Sequence, residues 1–267
     1  MAALEEPWPG SDAELVALQG RLVERSRRVD RWRPPTGRAM RVGGCFVAFA
    51  RGEAGPGHPG DRAWAAAVVL EVPAEPGPGP RRDPDRQLRG IPVGGAPRQA
   101  RDVEAQHAVA GTVPASYAPG LLARREGPIL EAAVRHLPRL PEVLLVDATG
   151  LDHPRRAGLA LHLGSVLEVP TVGVTHRGLV DRSDPPDLAE RGAWMPVEQD
   201  GVAVGAWLCV RSGVRPVLVH AAWRTGVEDA VEVVLRASVE DARTPVPLQE
   251  ARRVAREARH LATADGR

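Results

Sequence analysis

The stretch that decides the fold is LLVDATGLDHPRRAGLALHLGSVLEVPTVGV, residues 144–174. Its apolar start, which ends at Val146, predicts a buried strand; PRRAGLALHLGSVL predicts a helix, and VPTVGV predicts a second strand. A strand, a helix and a strand in this order form a β-α-β unit with parallel strands. Open sheets of this kind bind ligands outside the carboxyl ends of their strands, and Asp147 stands at that end of the first strand.

A loop of small residues and the basic segment His153-Pro154-Arg155-Arg156 follow Asp147. A local basic segment beside a strand end indicates an anionic ligand. An aspartate in this position is equally suited to cap the next helix. This stretch alone therefore leaves both roles of Asp147 open.

Composition limits the class of protein. The chain has 267 residues, of which 43% are hydrophobic and 26% charged, as in a folded globular protein. The formal net charge of +1 excludes a strongly basic nucleic-acid-binding protein, so any basic surface must be local. Every cationic side chain is arginine, whose planar fork suits phosphate contacts.

Cysteine usage and hydropathy indicate the compartment. The two cysteines, Cys45 and Cys209, lie in apolar runs without metal-ligand neighbours, which argues against disulfides and a zinc site. No apolar run approaches the ~18 residues of a membrane span, and the acidic amino terminus does not resemble a signal peptide. We therefore expect a cytoplasmic protein without a membrane-spanning segment.

The first part of the chain predicts a helix and two strands. Ser11 and Glu14 have the spacing of a capping box, and Leu15, Leu18 and Leu22 form one apolar helix face. The arginine-rich end of this helix is either a solvated face or a phosphate-binding surface. MRVGGCFVAFA and RAWAAAVVLEV then predict two strands joined by a long loop.

The remaining segments complete a mixed sheet. Residues 72–102 are rich in Pro, Gly and Arg and predict an insertion without a packed core. A helix over YAPGLLARREGPILEAAVRHL precedes the β-α-β unit; an antiparallel pair, GVAVGAWLCV and RPVLVHAAW, and two helices follow it. We predict an α/β fold with a mixed sheet flanked by helices, in a single domain over residues 11–262.

Two residues of the preceding helix and turn are candidates for the site. Mg²⁺ is usually held by one or two carboxylates together with phosphate oxygens, and Glu126 is a candidate partner of Asp147, although an isolated glutamate is more often exposed at the surface. Tyr117 lies in a turn with Pro119 and Gly120. Its ring either stacks on a base or packs at the edge of the core.

The segments YAPGLLARREGPIL and residues 143–174 together resemble the endonuclease V family, and the likeness extends from near Leu15 to near Arg259. The resemblance implies a ribonuclease H-like fold and a Mg²⁺-dependent nuclease, with Mn²⁺ as an alternative ion. It also implies that DNA or RNA is nicked one nucleotide beyond inosine, a deaminated adenine. We further expect a monomer.

Residue roles follow from the resemblance. Tyr117 and Pro119 match the wedge that turns the damaged base out, Glu126 and Asp147 match metal-binding catalytic residues, and Gly150 matches a glycine of the base pocket. His153 matches a histidine of the loop beside the substrate. We therefore predict Glu126 and Asp147 as the catalytic and metal-binding residues, and substrate contacts from Tyr117, Pro119, Gly120, Gly150, His153, Arg155 and His176.

The sequence also departs from the family pattern. Phe46 and Trp223 stand where the family has an aspartate and a histidine of the metal site, and Ala148-Thr149 replaces a Gly-His pair. His176 replaces a lysine. Glu228, Asp152 and Glu53 are candidate substitutes for the missing ligand, although Glu228 also forms a potential capping box with Thr225.

These losses predict a nuclease with impaired activity on inosine-containing or distorted nucleic acid, because even residues behind the ligands typically contribute ~10–100-fold to metal affinity or activity. Two alternatives remain open. The chain is either an inactive pseudonuclease that still binds nucleic acid, or a divergent protein whose pocket takes a different ligand.

Overall fold

The protein contains both helices and strands in this computed structural model, which describes residues 7–50, 57–74, 89–90, 103–179, 185–239 and 242–264. The helices are α1 (Asp12–Ser26), α2 (Leu122–Arg135), α3 (Leu159–Leu167), α4 (Val227–Arg236) and α5 (Val246–Ala264). The strands are β1 (Met40–Phe49), β2 (Arg62–Val72), β3 (Arg89–Gly90), β4 (Val103–Thr112), β5 (Val143–Val146), β6 (Thr171–Thr175), β7 (Ala193–Gln199), β8 (Val202–Leu208) and β9 (Val217–Ala221).

The described strands form one mixed sheet in the order β3-β7-β8-β9-β6-β5-β1-β2-β4. β1, β5 and β6 are parallel, and every other pairing is antiparallel. The predicted β-α-β unit is confirmed as β5, α3 and β6, and the predicted antiparallel pair is confirmed as β8 with β9. The two predicted strands β1 and β2 also pair antiparallel. The mixed sheet flanked by helices agrees with the expected ribonuclease H-like architecture.

Helices cover both faces of the sheet because strand residues alternate between the faces. On one face, Cys45, Leu144 and Val146 join the core cluster that contains residues of α1, α2 and α3. On the other face, α4 and α5 cover the alternate residues, among them Leu145 and Ala48. A single domain with three layers results.

The first helix agrees with its sequence signals. The Ser11 hydroxyl accepts a hydrogen bond from the N–H of Glu14, and the Glu14 carboxylate accepts one from the N–H of Ser11. This reciprocal capping box satisfies two backbone donors at the helix start. Leu15, Leu18 and Leu22 are fully buried, as predicted.

A close approach between β1 and α5 fixes where the last helix crosses the sheet. A side chain at Gly44 would lie 2.3 Å from the backbone carbonyl group of Pro247, so only glycine allows this approach. Ala251, Val254 and Ala255 then pack against Ala48 and its neighbours on the same face. The side of α5 that carries Arg252 therefore lies near the ends of β1 and β5.

The remaining predictions concern the cysteines, membrane-spanning helices, the insertion and the domain limits. Both cysteines are free and buried, in agreement with the expectation of no disulfide. In the part of the chain that the structure describes, no helix is long and apolar enough to cross a membrane. The predicted insertion falls mainly on residues 75–88 and 91–102, outside the described residues, and the domain limits 11–262 stay a prediction.

Candidate functional site

Phe46 and Asp147 lie side by side at the ends of neighbouring strands. The parallel register pairs Cys45 with Val146, so the next residues of the two chains are adjacent. Alternation along the strands turns Phe46 toward the α5 face, where it packs against the cluster of Ala48 and Ala251. Phe46, which stands where the family has an aspartate of the metal site, is therefore adjacent to Asp147.

Arg252 of α5 contacts both residues. Its Nη2 lies 3.1 Å from Oδ2 of Asp147, and its Cζ lies 5.0 Å from the centroid of the Phe46 ring. The side chains of Arg252 and Asp147 are 28% and 32% exposed, and such partly solvated pairs contribute only ~0–1 kcal/mol. The ion pair therefore neutralises Asp147 without holding Arg252 rigidly.

Glu126 lies on α2, partly buried, within electrostatic range of Asp147. Burial raises the pKa of Glu126 to about 8, the negative charge of Asp147 adds to this effect, and the guanidinium of Arg125 opposes it. The same two carboxylates raise the pKa of the Cys45 thiol, although burial is the larger cause. The thiol of Cys45 is therefore protonated and unreactive at neutral pH.

The site does not fit a divalent metal ion as its side chains are arranged. Mg²⁺ prefers carboxylate and other oxygen ligands, but Asp147 is paired with a guanidinium and Phe46 offers an aromatic ring. In the described residues, no group of three or more His, Cys, Asp or Glu side chains is arranged to hold a metal ion. This arrangement does not support the Mg²⁺ or Mn²⁺ site predicted at Glu126 and Asp147.

The candidate substitute ligands either pair with other residues or fall outside the described residues. Oδ2 of Asp152 lies 3.6 Å from Nδ1 of the buried His220. Glu228 forms an ion pair with Arg31 at 3.7 Å. Glu53 falls outside the described residues. Asp152 and Glu228 therefore do not complete a metal site at Asp147 in this arrangement.

The predicted capping box at Thr225 is displaced by one residue. Asp229 accepts a hydrogen bond from the N–H of Gly226 at the start of α4. Thr225 instead uses its hydroxyl inside the protein, donating to the carbonyl of Thr171 at 2.7 Å. The prediction that Thr225 and Glu228 cap this helix is wrong, because the chain enters α4 one residue later.

Trp223 lies far from Asp147. The N–H of Thr171 donates to the carbonyl of Trp223 at 3.0 Å, and Thr171 pairs with Leu144 in the parallel register. Leu144 precedes Asp147 by three residues, a separation of ~10 Å along a strand that rises ~3.3 Å per residue. The interpretation that Trp223 replaces a residue of the Asp147 site is therefore wrong for this structure.

The arginine-rich end of α1 also lies away from Asp147. Arg25 stacks over the Trp223 ring at 5.3 Å and pairs with Glu168. Arg31 pairs with Asp229 at 2.9 Å. These arginines are neutralised by carboxylates beside the opposite end of β6, so a phosphate-binding role at the cavity is not supported.

The turn before α2 presents Tyr117 to solvent. Tyr117 is 46% exposed, and Pro119 in the same turn is exposed as well. Gly120 adopts a φ of +76°, which L side chains rarely adopt. The turn therefore depends on Gly120 for its backbone and holds an aromatic ring outside the core.

Three side chains donate to the carbonyl of Gly120. Gln19 Nε2 and His153 Nε2 lie 3.0 Å from this oxygen, and Arg155 Nη2 lies 2.8 Å from it. Arg155 also donates to Gln19 Oε1. The basic segment after β5 is therefore bound to the Tyr117 turn, and Arg155 acts first as an internal connector.

The imidazole of His153 is neutral at physiological pH. Burial lowers the pKa of His153 to about 4, with the nearby Arg155 acting in the same direction and the hydrogen bond to Gly120 opposing it. The backbone N–H of Arg155 donates to Nδ1 at 3.1 Å, so Nε2 carries the proton that Gly120 accepts. His153 thus orients the loop.

A cavity of about 270 Å³ opens between this turn and the strand ends. Tyr117, Gly120 and His153 line one side, and Asp147, Ala148 and Thr149 line another. Sites for drug-sized ligands measure ~300–1,000 Å³, so this cavity suits a smaller group. The structure thus brings together the Tyr117 turn, the His153 loop and Asp147 around one cavity.

Two predicted contact residues have other surroundings. A side chain at Gly150 would lie 2.2 Å from the carbonyl oxygen of Ala221, so Gly150 allows the loop to pack against β9. His176 is exposed just after β6. Partial burial and the guanidinium groups of Arg243 and Arg252 lower the pKa of His176, while Asp147 raises it. His176 therefore lies within electrostatic range of Asp147.

The sequence did not reveal a polar row beneath the cavity. Thr175, which lines the cavity, lies 2.8 Å from Nε2 of the fully buried His220. Burial lowers the pKa of His220 to about 3, so the ring is neutral beside Asp152. Only the pairing of β6 with β9 brings these residues together, and no local motif signals that pairing.

Comparison with known proteins places the chain in a family. Residues 96–253 match the family model of Endonuclease V. Endonuclease V of Roseiflexus sp. (strain RS-1) is 33% identical over 233 residues, which cover 87% of each chain. The crystal structure of endonuclease V from Streptomyces avermitilis superposes with a TM-score of 0.75 at 33% identity and 96% coverage of both chains.

A more distant relative has the same fold. Ciona intestinalis endonuclease V, solved in complex with a 24-mer DNA containing an inosine followed by a ribo-adenosine, superposes with a TM-score of 0.67 at 18% identity. That alignment covers 94% of this chain and 98% of the Ciona chain. The matched family model and the Roseiflexus relative, which agree over most of the sequence, show that this chain belongs to the endonuclease V family.

Proposed function

We propose that this chain binds inosine-containing or otherwise distorted DNA or RNA in the cavity beside Asp147, and that it cleaves the bound strand slowly or not at all. The observation that carries the proposal is the contrast within one site. Tyr117 is exposed and borders a cavity of about 270 Å³, whereas Asp147 is paired with Arg252 and lies beside Phe46 rather than a further carboxylate.

Binding is supported by the rigid construction of the Tyr117 turn. Its Gly120 carbonyl accepts hydrogen bonds from three side chains, so little conformational freedom is left to lose when a base stacks against the ring. Stacking of a base on an aromatic side chain contributes ~1–3 kcal/mol and tolerates any base. The neighbouring cavity then supplies room for one unstacked base.

Slow cleavage is supported by the surroundings of Asp147. Family members are expected to use carboxylates to hold Mg²⁺, which supplies an activated water for phosphodiester hydrolysis when it is bound. In this chain, burial keeps Glu126 largely protonated at neutral pH, with a pKa of about 8. Asp147 already has a cationic partner. Both features oppose metal-dependent cleavage.

The test combines binding and nicking. Labelled inosine-containing and plain duplexes, and matching RNA strands, are titrated at two salt concentrations, and nicking is followed with Mg²⁺. We expect salt-sensitive binding that is tighter for the inosine-containing strand, with little nicking. Absence of binding to every strand at low salt would reject nucleic-acid binding and favour a different ligand in the cavity. Rapid nicking by the unmodified protein would contradict impaired cleavage.

A further inference from the structure

We propose that the guanidinium of Arg252 takes the place of a cation at Asp147, so that the site binds a phosphodiester group without a divalent metal. This inference rests on the proposed nucleic-acid binding and specifies how the site does it. Arg252 lies outside the two motif segments, residues 117–130 and 143–174, on which the family resemblance rests. Its role follows from its position between two residues at the strand ends.

The guanidinium makes two contacts of different kinds. Nη2 of Arg252 lies 3.1 Å from the Asp147 carboxylate, and Cζ lies 5.0 Å from the centre of the Phe46 ring. A cation within ~6 Å of an aromatic ring is attracted by the ring face. Phe46 is therefore an aromatic support for the guanidinium of Arg252.

The fold leads α5 to this place. Gly44 permits the backbone of α5 to approach β1 at Pro247, and Arg252 follows five residues later on the same helix. Ala251 and Ala255, which flank Arg252 on the helix, are fully buried. Helix packing on both sides of the arginine thus restricts where its side chain extends, without requiring the ion pair.

Arg252 keeps hydrogen-bond donors for a ligand. A guanidinium has five N–H donors in a planar fork that matches phosphate oxygens. Asp147 accepts from Nη2, the Nε of Arg252 is buried, and Nη1 makes no hydrogen bond within the described residues. The side chain is 28% exposed. A phosphate oxygen beside the Asp147 carboxylate can therefore accept from Nη1.

Charge balance requires such a cation. A phosphodiester carries a negative charge and is repelled by the carboxylate of Asp147 unless a positive group stands nearby. Arg252 neutralises Asp147 directly, and Arg243 lies close enough that both guanidinium groups lower the pKa of His176. Positive charge from the protein itself thus fills the role that a bound ion has in a metal-dependent nuclease.

The first test measures binding of an inosine-containing oligonucleotide with EDTA or with Mg²⁺. We expect equal affinity under both conditions for the unmodified protein. Arg252→Gln should weaken binding in EDTA by roughly 10- to 100-fold, as for loss of a charge-assisted hydrogen bond. The matched control is Arg253→Gln, since Arg253 is adjacent on α5 but pairs outward with Glu250 and Glu257.

Three results would separate the hypotheses. Binding only in Mg²⁺ would overturn the role of Arg252 while the proposed nucleic-acid binding stands. Equal binding by the Arg252→Gln and Arg253→Gln variants would also overturn it. No binding under any condition would reject the proposed function itself, and a second measurement then decides on Arg252 without nucleic acid.

That second measurement is Mn²⁺ affinity, followed by electron paramagnetic resonance. Phe46→Asp adds a carboxylate to the site, and Phe46→Asp with Arg252→Gln also removes the competing guanidinium. We expect the double variant to bind Mn²⁺ at least tenfold more tightly than the single variant, because a guanidinium and a metal ion compete for Asp147. Equal Mn²⁺ affinity, or no binding by either variant, would overturn the proposal; thermal unfolding checks that both variants are folded.

Discussion

Arg252 donates a hydrogen bond to Asp147, the residue directly after the central parallel strand β5. Since the family resemblance implies that Asp147 binds a metal, this ion pair changes how the departures of the sequence are interpreted. The absence of an aspartate at position 46 does not leave an unfilled space beside Asp147. Phe46 and Arg252 pack together there at 5.0 Å, and both must change before the site resembles a metal centre.

The first prediction concerns nicking. Phe46→Asp together with Arg252→Gln should raise the Mg²⁺-dependent nicking rate of an inosine-containing strand, because the change supplies a ligand and frees Asp147. We expect the nicking rate to rise at least ~10-fold, because the loss of supporting groups in metal sites typically lowers metal affinity or activity by that factor. Single-turnover cleavage of a labelled oligonucleotide measures it.

Trp223→His serves as the contrasting variant. Trp223 is fully buried beside Thr171 and Arg25, away from Asp147. Its replacement should leave the nicking rate unchanged and lower the stability, since large-to-small changes of core aromatic residues cost up to ~3–5 kcal/mol. If Trp223→His raised the nicking rate while the Phe46 and Arg252 double variant did not, the placement of the site would be refuted.

Tyr117→Ala should reduce the preference for a lesion without unfolding the protein. The Tyr117 residue is 46% exposed, so its truncation removes few core contacts. If a base stacks on the ring, affinity for the inosine-containing strand should fall by ~1–3 kcal/mol, and affinity for a plain duplex should change little. Tyr117→Phe keeps the ring and should retain the preference; an equal loss for both strands would argue against stacking.

Gly120→Ala should disturb the Tyr117 turn more than backbone strain alone explains. A left-handed backbone costs a non-glycine residue ~1–2 kcal/mol, and an added Cβ at Gly120 would also lie 3.1 Å from Arg155 and 3.3 Å from His153. Gly37→Ala is the matched control, because Gly37 has a similar φ of +71° and no atom within 4 Å of the added Cβ.

Thermal unfolding and strand binding separate the two glycine variants. Both should lose stability through strain, and only Gly120→Ala should lose preference for the inosine-containing strand. Equal effects of the two substitutions on binding would show that the connection from Gly120 to Arg155 and His153 does not shape the site.

The sequence predicted the parts of the fold that carry strong local signals. β5, α3 and β6 have continuous apolar patterns because both faces of these elements are covered. β4 and β7 were missed. β4 is an edge strand with mostly exposed or half-buried residues. In β7, Pro196 interrupts a short apolar run that ends in Glu198 and Gln199, so neither strand has the continuous apolar run on which strand prediction depends.

The site was predictable where residues are near in sequence and unpredictable where packing alone unites them. Tyr117, Gly120 and Asp147 were identified from a turn and a strand end. Gln19 and Arg252 were missed, because a glutamine inside an amphipathic helix and an arginine among several in α5 resemble solvated positions. The contact between Gly44 and Pro247, which brings α5 to the site, leaves no signal in either segment alone.

The last prediction concerns stability at acidic pH. Burial lowers the pKa of His153 from 6.5 to about 4, so the folded protein keeps this ring neutral while the unfolded chain takes up a proton. The contribution of His153 to stability is therefore complete above pH 6.5 and is lost as the pH falls toward 4. The slope in that window is at most ~1.4 kcal/mol per pH unit.

His153→Gln isolates this contribution from the other buried histidines. Burial also lowers the pKa values of His162 and His220, to about 4 and about 3, so the unmodified protein loses stability in acid for several reasons. A glutamine at position 153 keeps an N–H donor for the Gly120 carbonyl and does not titrate. Urea unfolding between pH 7 and pH 4.5 should show a shallower decline for the variant. Parallel declines would mean that His153 is protonated in the folded protein and that the loop is not held by a neutral imidazole.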